Sequence, residues 1–154
     1  TALLDAIFQV SQEKMSEKRL RQTFVVVSDG DDLHSSHTLA EAVNMAQLAE
    51  TSIYAIGTNR LGASRNKHGI KILERLTEET GGRVFFPLSE DELEEAFDKI
   101  EKELRSQYSI TYTPRNKTRD GKFRNLEVRV AKGRNRPEKM TIRNKKGYYA
   151  ATPQ

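Results

Sequence analysis

Short apolar runs alternate with longer stretches of helical spacing through residues 1–106, and this alternation constrains the fold most. Apolar runs of strand length cover residues 23–28, 52–57 and 83–87, and helical stretches cover residues 2–18, 36–50, 70–80 and 89–106. Strands that alternate with helices of this length predict right-handed crossovers and a parallel sheet. We therefore expect an α/β fold, a partial doubly wound sheet with flanking helices, in which residues 23–28 are buried on both faces.

Residues at the ends of these stretches are typical of helix boundaries. Ser36 or Thr38 could cap the second helix and Ser89 the fourth, because a hydroxyl oxygen can accept hydrogen bonds from free amides of the first turn. Gly81 and Gly82 are suited to end the third helix.

The pattern changes after residue 106. Tyr108, Ile110 and Tyr112 alternate with polar residues, and residues 126–130 do the same. A third short run begins at Met140 and ends at residues 147–149. Alternation with a period of two predicts half-exposed, antiparallel strands. We therefore divide the chain into an α/β part, residues 1–106, and a β extension, residues 107–154.

Charge divides along similar lines. Residues 115–147 hold thirteen of the 26 basic side chains and three of the 22 acidic ones. The rest of the chain holds thirteen basic and nineteen acidic side chains. A basic segment of this kind suggests contact with nucleic acid or an anionic surface. The same residues also suit the solvated faces of ordinary strands, so we rank nucleic acid below a protein ligand.

Several function classes are excluded or left open by composition. The sequence has no cysteine, which excludes disulfides, thiolate metal sites and cysteine nucleophiles. No apolar run is long enough to cross a bilayer. The sequence begins at Thr1, within a helical pattern, and we expect it to be a fragment of a longer protein.

The acidic turn, SDGDD at residues 28–32, is the principal candidate site. It follows the first predicted strand, at the sheet edge where ligands of such folds bind. Its carboxylates could hold a metal, accept a phosphoryl group through Asp29 and Asp31, cap a helix, or form solvated turns. The phosphotransfer alternative needs a further carboxylate, which the other two strand ends lack.

The three histidines are a weaker candidate site. His34 and His37 are three residues apart, and His68 lies far along the chain. No further zinc ligand is placed by the sequence, so we interpret all three as polar loop residues.

An ordered set of segments resembles the von Willebrand factor type A (vWA) domain. These segments are TALLDAI, FVVVSDGDD, SIYAIGT and LTEETGGRVFFP, and the tail resembles the end of bacterial, acidobacterial-type vWA-related proteins through QYSITYTP, FRNLEVRV and NKKGYYA. The resemblance spans nearly the whole chain. It implies a non-catalytic adhesion module that binds a protein ligand outside the cytoplasm, in an extracellular or periplasmic setting.

The resemblance also implies a metal ion-dependent adhesion site. Its threonine position matches Thr1, and its aspartate position matches Asp29. Ser28, Asp31 and Asp32 could hold these two ligands in place through hydrogen bonds. The family's Asp-x-Ser-x-Ser motif does not occur in the sequence. We therefore expect Mg²⁺ or Mn²⁺ in an intact parent protein and weak or no metal binding by this chain.

The missing motif also implies a missing central strand. In the family this strand lies beside the one that matches residues 24–28. We therefore expect an exposed sheet edge, through which the chain could self-associate.

Overall fold

Among the residues that the structure describes, three parallel strands and four helices form the α/β part of the protein. The computed structural model describes residues 1–15, 22–58, 67–131 and 141–152. In chain order the elements are α1 (Leu3–Lys14), β1 (Gln22–Ser28), α2 (Leu39–Leu48), β2 (Thr51–Gly57), α3 (Lys67–Thr80), β3 (Val84–Phe85), α4 (Glu90–Arg105), β4 (Phe123–Asn125) and β5 (Gly147–Tyr149). The predicted α/β fold is confirmed. Within the described ranges, no helix is long and apolar enough to cross a membrane.

The strand order in the main sheet is β1-β2-β3, and all neighbours are parallel. β1 and β2 pair over their whole length, from Gln22 opposite Thr51 to Ser28 opposite Gly57. Because β1 is the first strand in this order, only one of its sides faces another described strand. All three carboxyl ends lie at the same edge of the sheet, which places the acidic turn there.

The main core lies on the face of the sheet that α1, α2 and α3 cover. Ile53 and Ala55 of β2 are fully buried there against helix residues such as Leu73 and Leu76. The core on the opposite face of the sheet is smaller. There Tyr54 and Ile56 pack with Ile100 of α4.

β1 is buried on one face only, which contradicts the expectation that residues 23–28 are buried on both faces. Phe24 and Val26 pack against the main core. Val25 and Val27 point to the other face and are 43% and 60% exposed. The expectation was wrong on that face, because a continuous apolar run does not reveal whether both sheet faces are covered.

The predicted helix caps at Thr38 and Ser89 are confirmed, although α2 and α3 begin three residues away from their predicted starts. Thr38 and Glu41 form a reciprocal capping box at the start of α2, and Ser89 caps α4 through the amide of Glu92. Gly81 follows α3 with a φ of +84°, a conformation that glycine adopts without steric cost.

The β extension contains fewer strands than its alternating pattern predicts. β4 pairs antiparallel with β5, but residues 108–113 and 126–130 are not strands. Alternation shows which side chains could share a face, whereas a strand also needs a neighbour, and Tyr108 and Ile110 are 87% and 66% exposed. Met140, at the start of the third predicted run, lies outside the described residues, whereas the end of that run, residues 147–149, forms β5.

The end of the β extension is nevertheless attached to the α/β part. The hydroxyl of Tyr149 donates a 2.7 Å hydrogen bond to Asn44 of α2. The backbone amide of Lys146 donates to the carbonyl of Glu79 at 3.2 Å. β5 therefore lies against the surface formed by α2 and α3.

Candidate functional site

The acidic turn is held by hydrogen bonds within itself. The amide of Asp31 donates to Oδ1 of Asp29, and the amide of Gly30 donates to Oγ of Ser28, both at 3.0 Å. Asp29 thus forms the side-chain-to-backbone turn that was one of its predicted alternatives. This turn orients the carboxylate of Asp29.

A close backbone contact with α3 fixes the position of the turn. Gly30 has a φ of +77°, and a Cβ added there would overlap the backbone carbonyl of Gly69 in the first turn of α3. A Cβ on Gly69 would in turn overlap the carbonyl of Asp29. The two glycines therefore allow α3 to touch the acidic turn directly. This role of Gly69 could not be predicted from the sequence, because no local pattern connects Gly69 to residue 30.

Asp32 caps helix α1 from the loop after β1. Its Oδ2 accepts hydrogen bonds from the amide of Leu4 at 2.7 Å and the hydroxyl of Ser35 at 2.6 Å. Its Oδ1 accepts from the amides of Ser35 at 3.0 Å and His34 at 3.3 Å. Partial burial acts to raise the pKa of Asp32, but these hydrogen bonds outweigh it and hold the pKa below its usual value. Asp32 therefore caps α1 and also accepts hydrogen bonds from the amides of its own loop.

Asp5 makes the reciprocal connection from α1 to the loop. Its carboxylate accepts from the amides of Ser36 and His37 at 2.9 and 2.8 Å. Nδ1 of the His37 ring lies 2.7 Å from the same carboxylate, and the ring stacks on Phe8 with centroids 3.8 Å apart. The amide of Ser36, then that of His37, lowers the pKa of Asp5. Asp5 was not among the predicted site residues, although its place in the first turn of a helix was a possible signal.

Thr1 lies against the same loop. Its carbonyl accepts hydrogen bonds from the amides of Leu33 and His34, both at 3.3 Å, and its amino group lies 3.5 Å from Nδ1 of His34. The structure therefore brings Thr1 to the loop that begins with Asp29, through its backbone and amino group.

The donor set around the acidic turn does not fit a divalent cation unaided. In the described ranges, no group of three or more histidine, cysteine, aspartate or glutamate side chains could hold a metal ion. Both oxygens of Asp32 and Oδ1 of Asp29 already accept hydrogen bonds. Because Mg²⁺ takes about six oxygen ligands, Asp29 and Thr1 would need further ligands from beyond the described residues.

The histidines do not gather into a zinc site within the described residues. His37 is bound to Asp5, His34 lies beside the amino group of Thr1, and His68 lies in the first turn of α3.

Basic side chains of the β extension form ion pairs with acidic residues of the α/β part. Arg143 pairs with Glu103 at 3.0 Å, Lys146 with Glu78 at 3.1 Å, and Lys145 with Glu50 at 3.7 Å. Arg124 and Arg129 pair with acidic residues inside the extension, at 2.7 and 2.6 Å. Part of the basic charge therefore attaches the extension to the α/β part.

Comparisons with known proteins add a limited likeness. No protein-family profile and no curated protein matches the chain. Among solved structures, the chain is similar to an uncharacterised membrane-spanning protein from Vibrio fischeri, with a TM-score of 0.47 and 23% identity. The aligned region covers 57% of this chain and 49% of that chain, so the similarity spans about half of the other protein.

Proposed function

We propose that this chain is part of a non-catalytic binding module of the vWA type and that its binding face is the carboxyl edge of the sheet. The observation that carries the proposal is the position of Asp29. It follows β1 at that edge, in a turn fixed by α3, and the loop it begins also holds Thr1. This is the edge at which parallel sheets with flanking helices gather their ligands.

The acidic turn suits a ligand that is recognised through a cation or through basic groups. Asp29 and Asp31 place two carboxylates close together in this turn, and the amide of Asp31 donates to Oδ1 of Asp29. A divalent cation would need further oxygen ligands from another segment of the parent protein. A protein ligand carrying Lys or Arg could pair with these carboxylates directly.

The β extension is assigned a structural role in this proposal. Its ion pairs with Glu103, Glu78 and Glu50, and the hydrogen bond from Tyr149 to Asn44, favour attachment to the helices over contact with phosphates. A labelled oligonucleotide at two salt concentrations tests the alternative, because phosphate contacts release counterions and weaken as salt rises.

Calorimetric titration with Mg²⁺ and Mn²⁺ tests the binding module. It compares this chain, its Asp29→Ala variant, and a longer version that includes preceding residues of the parent protein. We expect binding only by the longer version, and its loss in the Asp29→Ala form of that version. Absence of binding in both versions, or binding that survives Asp29→Ala, would contradict a cation site at this edge.

A phosphatase assay on the same proteins addresses the enzyme alternative. A phosphotransfer enzyme that uses Asp29 and Asp31 would turn over aryl phosphate with Mg²⁺ and would lose this activity in Asp29→Ala. We expect no turnover above that of the variant.

A further inference from the structure

Residues 109–113, here called the SITYT segment, have the composition of a strand but no strand partner. Isoleucine, threonine and tyrosine are residues that strands favour. Within the described part of the chain, however, the backbone groups of the segment make no hydrogen bond. The side chains of Ile110 and Tyr112 are 66% and 49% exposed. The segment therefore offers both its backbone and its larger side chains to solvent.

The SITYT segment is anchored to the fold through Tyr112. The ring of Tyr112 packs edge-on against that of Tyr148 in β5, with centroids 6.3 Å apart. β5 is in turn fixed to the end of α3, where the carbonyl of Glu79 accepts from the amide of Lys146. Because α3 ends just before β3 begins, this attachment lies at the amino edge of the sheet. The anchor is therefore at the edge opposite the acidic turn.

Three basic side chains follow the SITYT segment. Arg115, Lys117 and Arg119 are exposed, and among the described residues none of them forms a salt bridge. In this they differ from the basic residues at 143–146, which attach the extension to the helices. Acidic side chains of a partner that lies along the segment would neutralise these three charges.

We propose that the SITYT segment is a docking site for an extended acidic segment of another protein, which pairs with it as an antiparallel β-strand. Strand addition of this kind gives the backbone N–H and C=O groups main-chain partners. Ile110 and Tyr112, two residues apart, then lie on one face of the new pair and contact alternate side chains of the partner. Because Arg115 and Lys117 follow the segment, the acidic residues of an antiparallel partner precede its own strand.

The same features disfavour two other occupants. A second copy of the segment would bring the same basic residues and no acidic one, since residues 106–119 contain no aspartate or glutamate. A nucleic acid would pair its phosphates with Arg115 and Lys117. It would leave the backbone of the SITYT segment without the main-chain partners that a strand requires. An acidic polypeptide satisfies both the charges and the backbone.

Peptide titration followed by fluorescence anisotropy tests the docking site. The probe is a labelled peptide in which three glutamates precede five alternating threonines and valines. One control peptide carries the glutamates after the strand, and a second has glutamines in their place. We expect the probe to bind about tenfold more tightly than either control, because only the probe brings opposite charges together in an antiparallel pair. Absence of binding, or a control that binds as tightly as the probe, would overturn the proposal.

Charge reversal on the protein gives the second readout. Lys117→Glu should weaken binding of the probe about fivefold or more, because it places like charges side by side. Lys71→Glu, at an exposed position of α3, makes the same change of net charge and should weaken binding less than about twofold. Equal losses in the two variants would mean that net charge alone attracts the peptide, which overturns the docking site.

Hydrogen exchange of the complex tests the strand pairing itself. Amides of the SITYT segment should exchange more slowly when the probe is bound, because they gain hydrogen-bond acceptors. Binding without such protection would overturn strand addition. Oligothymidylate that binds more tightly than the probe at the same salt concentration would assign the surface to nucleic acid and overturn the proposal as well. Neither result bears on the metal titration, because the acidic turn lies at the other edge of the sheet.

Discussion

The carboxylate of Asp32 lies 2.7 Å from the backbone amide of Leu4, across a sequence separation of 28 residues. Residues before α1 offer no side-chain cap, and the residue at its N-cap position is Ala2. Asp32 supplies the missing cap from the loop after β1, and Ser35 accepts from the next amide, that of Asp5, at 3.0 Å. The acidic turn is thereby joined to the start of the chain.

Replacing Asp32 by alanine should destabilise the protein. The substitution leaves the amide of Leu4 and those of the loop without their acceptor, and loss of an N-cap costs about 1 to 2 kcal/mol. Urea unfolding followed by circular dichroism measures the change. Asp31→Ala is the matched control, because no described residue donates a hydrogen bond to that side chain, and it should change the free energy of unfolding by less than about 0.5 kcal/mol. Equal effects in both variants would mean that the cap contributes nothing.

The same carboxylates should make stability depend on acid. Hydrogen bonds hold the pKa values of Asp32 and Asp5 below the usual 3.8 in the folded protein. Their contribution is therefore complete above the unfolded pKa and is lost as pH falls through the folded pKa. We expect the free energy of unfolding to drop as pH falls below about 4. Asp32→Asn should flatten this dependence, while Asp31→Asn controls for the loss of one charge. A wild-type curve that runs parallel to that of Asp32→Asn would contradict the assignment.

Local sequence signals predicted the elements of the α/β part well. Apolar runs located β1 and β2 to within one residue, and Thr38, Ser89 and Gly81 marked helix ends because caps depend on a few adjacent residues. The exposure of Val25 and Val27 was not predictable in the same way. It depends on which elements cover the sheet, and the run FVVV is equally apolar whether one face or two are covered.

The candidate site, too, could be predicted only in part from the sequence. The position of the acidic turn could be predicted from the sequence. The assignment of Thr1 and Asp29 to a metal site stays a prediction. The sequence did not reveal that Asp32 caps α1 or that Gly30 touches Gly69, because these contacts join residues about 30 to 40 positions apart. Such contacts follow from topology and leave no local pattern.

Thr80 offers a test of how α3 supports β2. Its buried hydroxyl accepts from the amide of Ile53 at 3.0 Å and donates to the carbonyl of Leu76 at 2.7 Å. Thr80→Val should cost about 1 to 3 kcal/mol, because the strand amide loses its acceptor in a buried environment. Thr77→Val is the control on the same helix, since the Thr77 hydroxyl donates only to a helical carbonyl, that of Glu74. In thermal unfolding, Thr80→Val should have a lower Tm than Thr77→Val. The reverse order would refute this role of Thr80.

The attachment of the β extension can be measured by a double-mutant cycle. Tyr149→Phe and Asn44→Ala each remove one partner of the 2.7 Å hydrogen bond between β5 and α2. We expect a coupling free energy of about 1 kcal/mol, obtained from unfolding of the two single variants and the double variant. Additive effects would show that β5 is not held to α2 through this pair.

Gly30 provides the strictest test of the geometry of the acidic turn. Gly30→Ala combines a φ of +77° with a Cβ that overlaps the carbonyl of Gly69, so α3 and the turn must separate. We expect a loss of about 3 kcal/mol or more, the sum of left-handed strain and overpacking.

Gly121→Ala separates these two causes. Gly121 has a similar φ of +65°, but its added Cβ meets only the side chain of Thr152, at 3.1 Å. It should lose only the strain, about 1 to 2 kcal/mol. Chemical unfolding of both variants measures the difference. Gly30→Ala could instead lower the free energy of unfolding no more than Gly121→Ala does. In that case the contact with α3 does not fix the turn, and the position of Asp29 depends on the hydrogen bonds of the turn alone.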